Sequence, residues 1–80
     1  MKVQVRYFAA AAAAAGIEEE SVKPGTLAEI VEKIGDKHGA LMVKVLPACS
    51  FLIDGTATTD HTVAVSGGQS IDVLPPFAGG

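Results

Sequence analysis

One amphipathic helix constrains everything else this chain can do. Thr26-Leu27-Ala28-Glu29 matches a capping box, with Thr26 as N-cap and Glu29 placed to reach back to its amide. Leu27, Ile30, Val31 and Ile34 fall at i, i+3, i+4 and i+7, which makes a single apolar stripe. Glu29 and Lys33 stand one turn apart on the polar side in the favourable order. Lys37 and His38 occupy the last turn, near the negative end of the dipole, and Gly39 ends the helix. With 80 residues there is room for one domain, and its core is thin, because a chain this short buries only about 60% of its surface. The stripe must therefore be covered by whatever the flanking segments build.

Those segments read mostly as strands. In MKVQVRYF, Val3, Val5 and Tyr7 share one face and Lys2, Gln4 and Arg6 the other, the alternation of a half-buried strand. Seven alanines, Ala9 to Ala15, then predict a short helix closed by Gly16. About two turns of alanine are marginal alone and must lie against something, or else serve as solvent-facing filler. From Ile17 to Val22, Ile17, Glu19 and Ser21 alternate with Glu18, Glu20 and Val22, a weak acidic edge strand that can pair with the first in a wide hairpin. Pro24-Gly25 marks a turn. Ala40 to Leu46 fits a buried strand or a helical turn equally, and Pro47 closes it. Cys49 to Ile53 reads as a strand, Asp54-Gly55 as a turn and Thr62 to Val65 as a short edge. Gly67-Gly68 reads as a turn, and Ser70 to Leu74 as a last strand with Ile71 and Val73 on one face, stopped by Pro75-Pro76. The expected fold is α+β, a mixed sheet with the main helix on one face.

Composition removes several classes of function. Hydrophobic residues make up 49% of the chain and charged residues 19%, too apolar for a disordered segment. Six basic residues against nine acidic ones, and only Tyr7, Phe8, Phe51 and Phe77 as aromatics, argue against nucleic acid as a partner. Cys49, the only cysteine, excludes an intrachain disulfide, a cysteine zinc knuckle and an all-cysteine iron–sulfur site. No run approaches the roughly 18 apolar residues of a membrane span, so no membrane partner is expected. Phe8 to Ala15 resembles a signal peptide only superficially, since Arg6 abuts it and a leucine-rich core is missing. The chain reads as cytoplasmic.

The polar side chains suggest little catalysis. His38 is placed as a helix C-terminal residue, and His61 beside Asp60 would face the opposite side of a strand from it. Cys49 reads as a small buried hydrophobe, with no neighbouring basic group to lower its pKa. Glu18, Glu19 and Glu20 are either a solvated strand face or a docking surface for a basic partner. Gly67-Gly68 precedes a strand rather than a helix, so it is not a phosphate loop, and neither GxGxxG, Walker lysine nor nucleophile elbow occurs. No catalytic, metal or permanently bound cofactor site is expected.

The tail is chemically distinctive. PPFAGG sets two rigid prolines after a strand and ends in two glycines. This is either a frayed end or a strip narrow enough to thread into another protein's active site, where the Gly80 carboxylate would be the reactive group.

Together, MKVQVRYFA, GTLAEIVEKI, FLIDG and DVLPPFAGG resemble the small, sulfur-carrying subunits of molybdopterin synthase, within the ubiquitin-like β-grasp group. The terminal PP-x-AGG carries the most specific part of that likeness. The resemblance implies a β-grasp domain over residues 1–76 and a flexible tail over 77–80. It implies that Gly80 is adenylated by a ubiquitin-activating-like adenylyltransferase using ATP and magnesium, and that a sulfur donor protein then converts it to a thiocarboxylate. That sulfur would pass to a pterin precursor inside the large subunit, for molybdenum cofactor biosynthesis. Gly79, Ala78, Phe77, Pro76 and Pro75 would thread the approach channel, while Leu74, with Tyr7 or Phe8, would form an apolar partner contact.

Two departures are visible. Ser66-Gly67-Gly68-Gln69 replaces a more acidic turn, and the alanine run replaces a more varied helix. The competing expectations are a carrier for thiamine, cysteine or tRNA thiolation, a ubiquitin-like modifier joined to lysines through Gly80, and a binding module whose tail is incidental.

Overall fold

The structure, a computed structural model, describes residues 1–76. In chain order the elements are β1 (Val3–Tyr7), α1 (Ala9–Ala15), β2 (Glu19–Val22), β3 (Gly25–Thr26), α2 (Leu27–His38) and α3 (Ala40–Val45). A 3-10 turn, Leu46–Ala48, leads into β4 (Ser50–Ile53), β5 (Thr56–Thr58), β6 (Ala64–Val65) and β7 (Ser70–Leu74).

The capping box forms as its sequence dictates. Thr26 Oγ1 accepts from the Glu29 amide at 3.1 Å, and Glu29 Oε1 accepts from the Thr26 amide at 2.9 Å. Leu27, Ile30 and Ile34 of α2 are buried. They meet the inward face of a five-stranded sheet ordered β2-β1-β7-β4-β5, in which β1 and β7 run parallel and the other pairs antiparallel. Val3, Val5 and Tyr7 of β1, Phe51 of β4, and Ile71 and Val73 of β7 supply that face. This is the α+β ubiquitin-like β-grasp arrangement, a mixed sheet packed against helices.

The alanine run is a helix with one buried side. Ala11 is fully covered and Ala12, Ala14 and Ala15 lean on the core, so methyl side chains let α1 lie close against β1, β7 and α3. Gly16, at φ +74, closes it by donating its amide to the Ala12 carbonyl. The wide hairpin expected across this helix is present, with Val3 opposite Val22 and Arg6 opposite Glu19.

Ala40–Val45 resolves as helix rather than strand. Met42 and Leu46, four apart, both point inward while Lys44 between them is exposed; in a strand all three would share a face, so the spacing is that of a helix. Two small β elements were not expected. Gly25–Thr26, read as part of a turn, pairs with Ala64–Val65, and Thr56–Thr58 completes a hairpin with β4 around Asp54-Gly55, both at positive φ.

The Ser66–Gln69 turn is stitched to the start of β1. Gly68 donates its amide to the Lys2 carbonyl at 3.0 Å and Gln69 accepts from the Gln4 amide at 3.0 Å. Gly67 lies so close to Met1 that an added Cβ would sit 2.3 Å from the Met1 carbonyl oxygen.

Candidate functional site

The last strand lies in the middle of the sheet, between β1 and β4. Ile71 and Val73 point into the core, so Ser70, Asp72 and Leu74 face the side that no helix among the described residues covers. Pro75 is half-buried and Pro76 exposed. Neither can donate to a ladder, so β7 ends here and the chain leaves the sheet from its centre.

Around that exit the outward face is part apolar and part charged. Leu74 is half-buried opposite Ser50, and Leu52 of β4, also half-buried, stands opposite Asp72. Tyr7 pairs with Val73, and Phe8 follows in extended backbone with its amide donated to the Val73 carbonyl at 3.2 Å. Continuing the ladder by one residue sets the exposed Phe8 beside Leu74. Arg6 faces Asp72 across the parallel pair and donates to both carboxylate oxygens, at 2.6 and 2.8 Å. Asp72 is a buried charged residue, and this fork satisfies it.

Of the residues expected at a partner contact, Leu74 and Phe8 are on this face and Tyr7 is not. Tyr7 shares the buried side of β1 with Val3 and Val5, is only 3% exposed, and donates its hydroxyl to Glu20 Oε2 at 2.5 Å. It is a core residue, because alternation sends it to the side opposite Phe8. Burial, then the bond to Glu20, raises its phenol far above the ordinary value. Pro75 and Pro76 form the root of the tail, while Phe77, Ala78, Gly79 and Gly80 lie outside the described residues.

The acidic run does not act as a unit. Glu19 accepts from the Gln4 side chain, whereas Glu20 turns towards α2 and is held by Tyr7, by Lys37 Nζ at 2.5 Å and by His38 Nε2 at 2.5 Å. Burial works against its charge, but the bonds from Lys37, Tyr7 and His38 outweigh that and lower its pKa to about 2. His38 is thus a clasp between helix and edge strand as well as a helix-end residue.

Cys49 is half-buried, donates to the Val45 carbonyl at 3.3 Å, and has its thiol pushed up by burial. It borders a cleft of about 410 Å³ with Val31, Gly35, Leu46, Phe51 and the exposed His61, on the helix side of the sheet. His61 stands edge-on to Phe51, with centroids 5.4 Å apart. Among the described residues no group of three His, Cys, Asp or Glu side chains could hold a metal, and no helix is long and apolar enough to cross a membrane.

The Arg6–Asp72 fork and Leu52 went unread in the sequence. Alternation puts each on an outward face, but the register joining residues 66 positions apart is a tertiary fact.

Comparison with known proteins bears on this face and its tail. The model of the ThiS family matches residues 5–80. The molybdopterin synthase sulfur carrier subunit of Emericella nidulans is 26% identical over 87 aligned positions, covering 96% of each chain. The solution structure of small archaeal modifier protein 1 from Methanosarcina acetivorans superposes with a TM-score of 0.84 at 22% identity, covering 99% of this chain and 96% of that one. A protein–protein complex of subunits 1 and 2 of molybdopterin-converting factor from Helicobacter pylori contains a chain that superposes at 0.74, with 24% identity and full coverage of both. At such identities the two structures speak to the fold.

Proposed function

Because the chain belongs to the ThiS family, we propose that it is a carrier whose Gly80 carboxylate is activated by one partner and spent at another. The observation that carries this reading is the exit of the Pro75-Pro76 root from the central strand, beside a face bearing Leu74, Leu52 and Phe8 that no element among the described residues covers. Such a face can dock a partner while the tail reaches into it.

A carboxylate is a poor electrophile. Attack of the Gly80 carboxylate on the α-phosphate of ATP, with magnesium held by the activating enzyme, releases pyrophosphate and leaves an acyl-adenylate. Sulfide then displaces AMP and gives the thiocarboxylate directly; a persulfide instead gives an acyl disulfide, and a second thiol cleaves its S–S bond to release the thiocarboxylate and leave a disulfide on the donor side. As a sulfur carrier for molybdenum cofactor biosynthesis, the protein would pass that soft nucleophile to a pterin precursor held by a large synthase subunit. The 26% identical sulfur carrier subunit supports this use. A second use is conjugation, in which a lysine amine attacks the activated Gly80 carbonyl and forms an isopeptide bond. The likeness to small archaeal modifier protein 1 supports that use, as does the tail, which serves both.

The test is intact-protein mass spectrometry with C-terminal fragmentation, after incubation with ATP, a cognate activating enzyme and a sulfur source. Sulfur localised to Gly80, retained in Cys49→Ser and lost on deleting Gly79 and Gly80, establishes the carrier. Amide-linked adducts without sulfur establish the modifier. No change with a demonstrably active, matched enzyme overturns both.

A further inference from the structure

The cleft beside Cys49, about 410 Å³, is large enough to take a ligand group. Its apolar walls come from three elements: Val31 of α2, Val43 and Leu46 at the end of α3, and Phe51 of β4. Gly35 lets the two helices close its floor, since a Cβ there would lie 3.3 Å from Val43 Cγ2. Val43 is 54% exposed, and Pro47 and His61 at the mouth are exposed as well. A ligand pocket encloses roughly 70% or more of a small molecule. A cleft this open instead suits one side chain delivered by a segment that lies across its mouth.

The rim carries one sign of charge. Glu32 and Asp36, one turn apart, border this cleft from α2, whereas Lys33 and Lys37 border a different hollow on the other flank of the same helix. Neither Glu32 nor Asp36 forms an ion pair among the described residues. Neighbouring acids are engaged: Glu20 by Lys37 and His38, and Glu29 by the Thr26 amide. Like charges at a one-turn spacing repel, and a cation set between them removes that cost. Of the other polar groups at the cleft, Cys49 donates to the Val45 carbonyl with its thiol pushed up by burial, and His61 stands edge-on to Phe51. No lysine or arginine among the described residues lines it.

We propose that this cleft receives a basic segment of a partner protein. The segment seats one aromatic or branched aliphatic side chain among Val31, Val43, Leu46 and Phe51, and sets flanking lysine or arginine groups against Glu32 and Asp36. The cleft is on the helix side of the sheet and Leu74, Leu52 and Phe8 are on the other, so both surfaces can be occupied at once. Ser50 pairs with Leu74, which brings Cys49, at the edge of the cleft, close to the tail root. The use of this arrangement rests on the carrier reading: one protein grips the cleft while the tail is engaged by another, and the carrier is held between activation and use.

The test is a backbone-amide NMR titration of the full, uncharged chain with a capped peptide of Phe-Leu flanked on each side by two Arg. Shifts should centre on Val31 to Asp36, Val43, Cys49 to Phe51 and His61, and affinity should fall as salt is raised. Glu32→Gln with Asp36→Gln should weaken binding by roughly tenfold, with an unchanged melting temperature as the control on folding. A peptide with Gly-Ser in place of Phe-Leu keeps the charge and should not bind the cleft. Absence of shifts at millimolar peptide overturns the proposal. So does equal binding of the Gly-Ser peptide, or a response centred on Glu18 and Glu19, either of which would show only general attraction to an acidic chain. Binding here is read without ATP or sulfur, so its loss leaves Gly80 charging intact, and failure of charging leaves the binding result standing.

Discussion

Arg6 and Asp72 are joined by a two-pronged bond across the parallel β1–β7 pair, one residue short of the point where Tyr7 and Val73 complete the ladder. The fork locks the terminal strand of β7 to β1 immediately before the chain leaves the sheet. Arg6→Lys keeps the charge but has no planar fork. It should lower the melting temperature modestly, Arg6→Gln should lower it further, and both should slow Gly80 charging more than a surface change elsewhere. Thermal denaturation beside a charging time course checks this. Unaltered melting in Arg6→Gln would mean that Asp72 finds water instead.

What the sequence made legible is what is encoded locally. Thr26–His38 carries its own cap, stripe and stop, so its bounds were readable, and β1 and β7 announced themselves by alternation. Ala40–Val45 was not readable, because six residues span too few turns to separate a helical period from a strand one. Thr56–Thr58 was missed since an exposed edge needs no apolar alternation. At the candidate face, the Pro75-Pro76 stop and the outward turn of Leu74 follow from the sequence pattern, and the same alternation turns Tyr7 inward with Val3 and Val5. The inward turn of Glu20 depends on partners 13 to 18 residues away and has no local signature.

Glu20 makes stability acid-sensitive. Its folded pKa, about 2, is below the ordinary value of 4.5. A depressed carboxylate contributes stability that is present above the unfolded pKa and lost as pH falls towards the folded one. Wild-type protein should therefore lose stability between about pH 5 and about pH 2. Glu20→Gln should be weaker at neutral pH by about 2 kcal/mol, a figure reduced because Lys37 is largely exposed, and should show a flatter acid limb. Urea denaturation across that range checks it; parallel acid limbs would remove Glu20 as the cause.

Gly67 tests the join between the N-terminus and the turn before β7. A Cβ 2.3 Å from the Met1 carbonyl oxygen cannot be accommodated without displacing backbone. Gly67→Ala should cost about 1–3 kcal/mol by overpacking, whereas Gly55→Ala meets no atom and suffers only from its positive φ of +83. Equilibrium unfolding of the two variants separates crowding from backbone strain. Equal, small losses would show that Met1 simply moves aside.

The outward sheet face and the buried face of β1 make opposite demands, and paired substitutions distinguish them. Leu74 is half-buried beside the tail root, so Leu74→Asp should leave most of the fold intact yet weaken binding to the activating enzyme by roughly tenfold or more, as expected of an apolar contact near the centre of an interface. Tyr7→Phe removes the hydroxyl that Glu20 accepts and should lower stability by about 1–2 kcal/mol without altering that affinity. Titration calorimetry with the enzyme, alongside urea melts of each variant, reads both quantities. If Leu74→Asp binds normally while Tyr7→Phe does not, the docking face lies on the helix side of the sheet, and the uncovered face around Leu74, Leu52 and Phe8 is not where the partner sits.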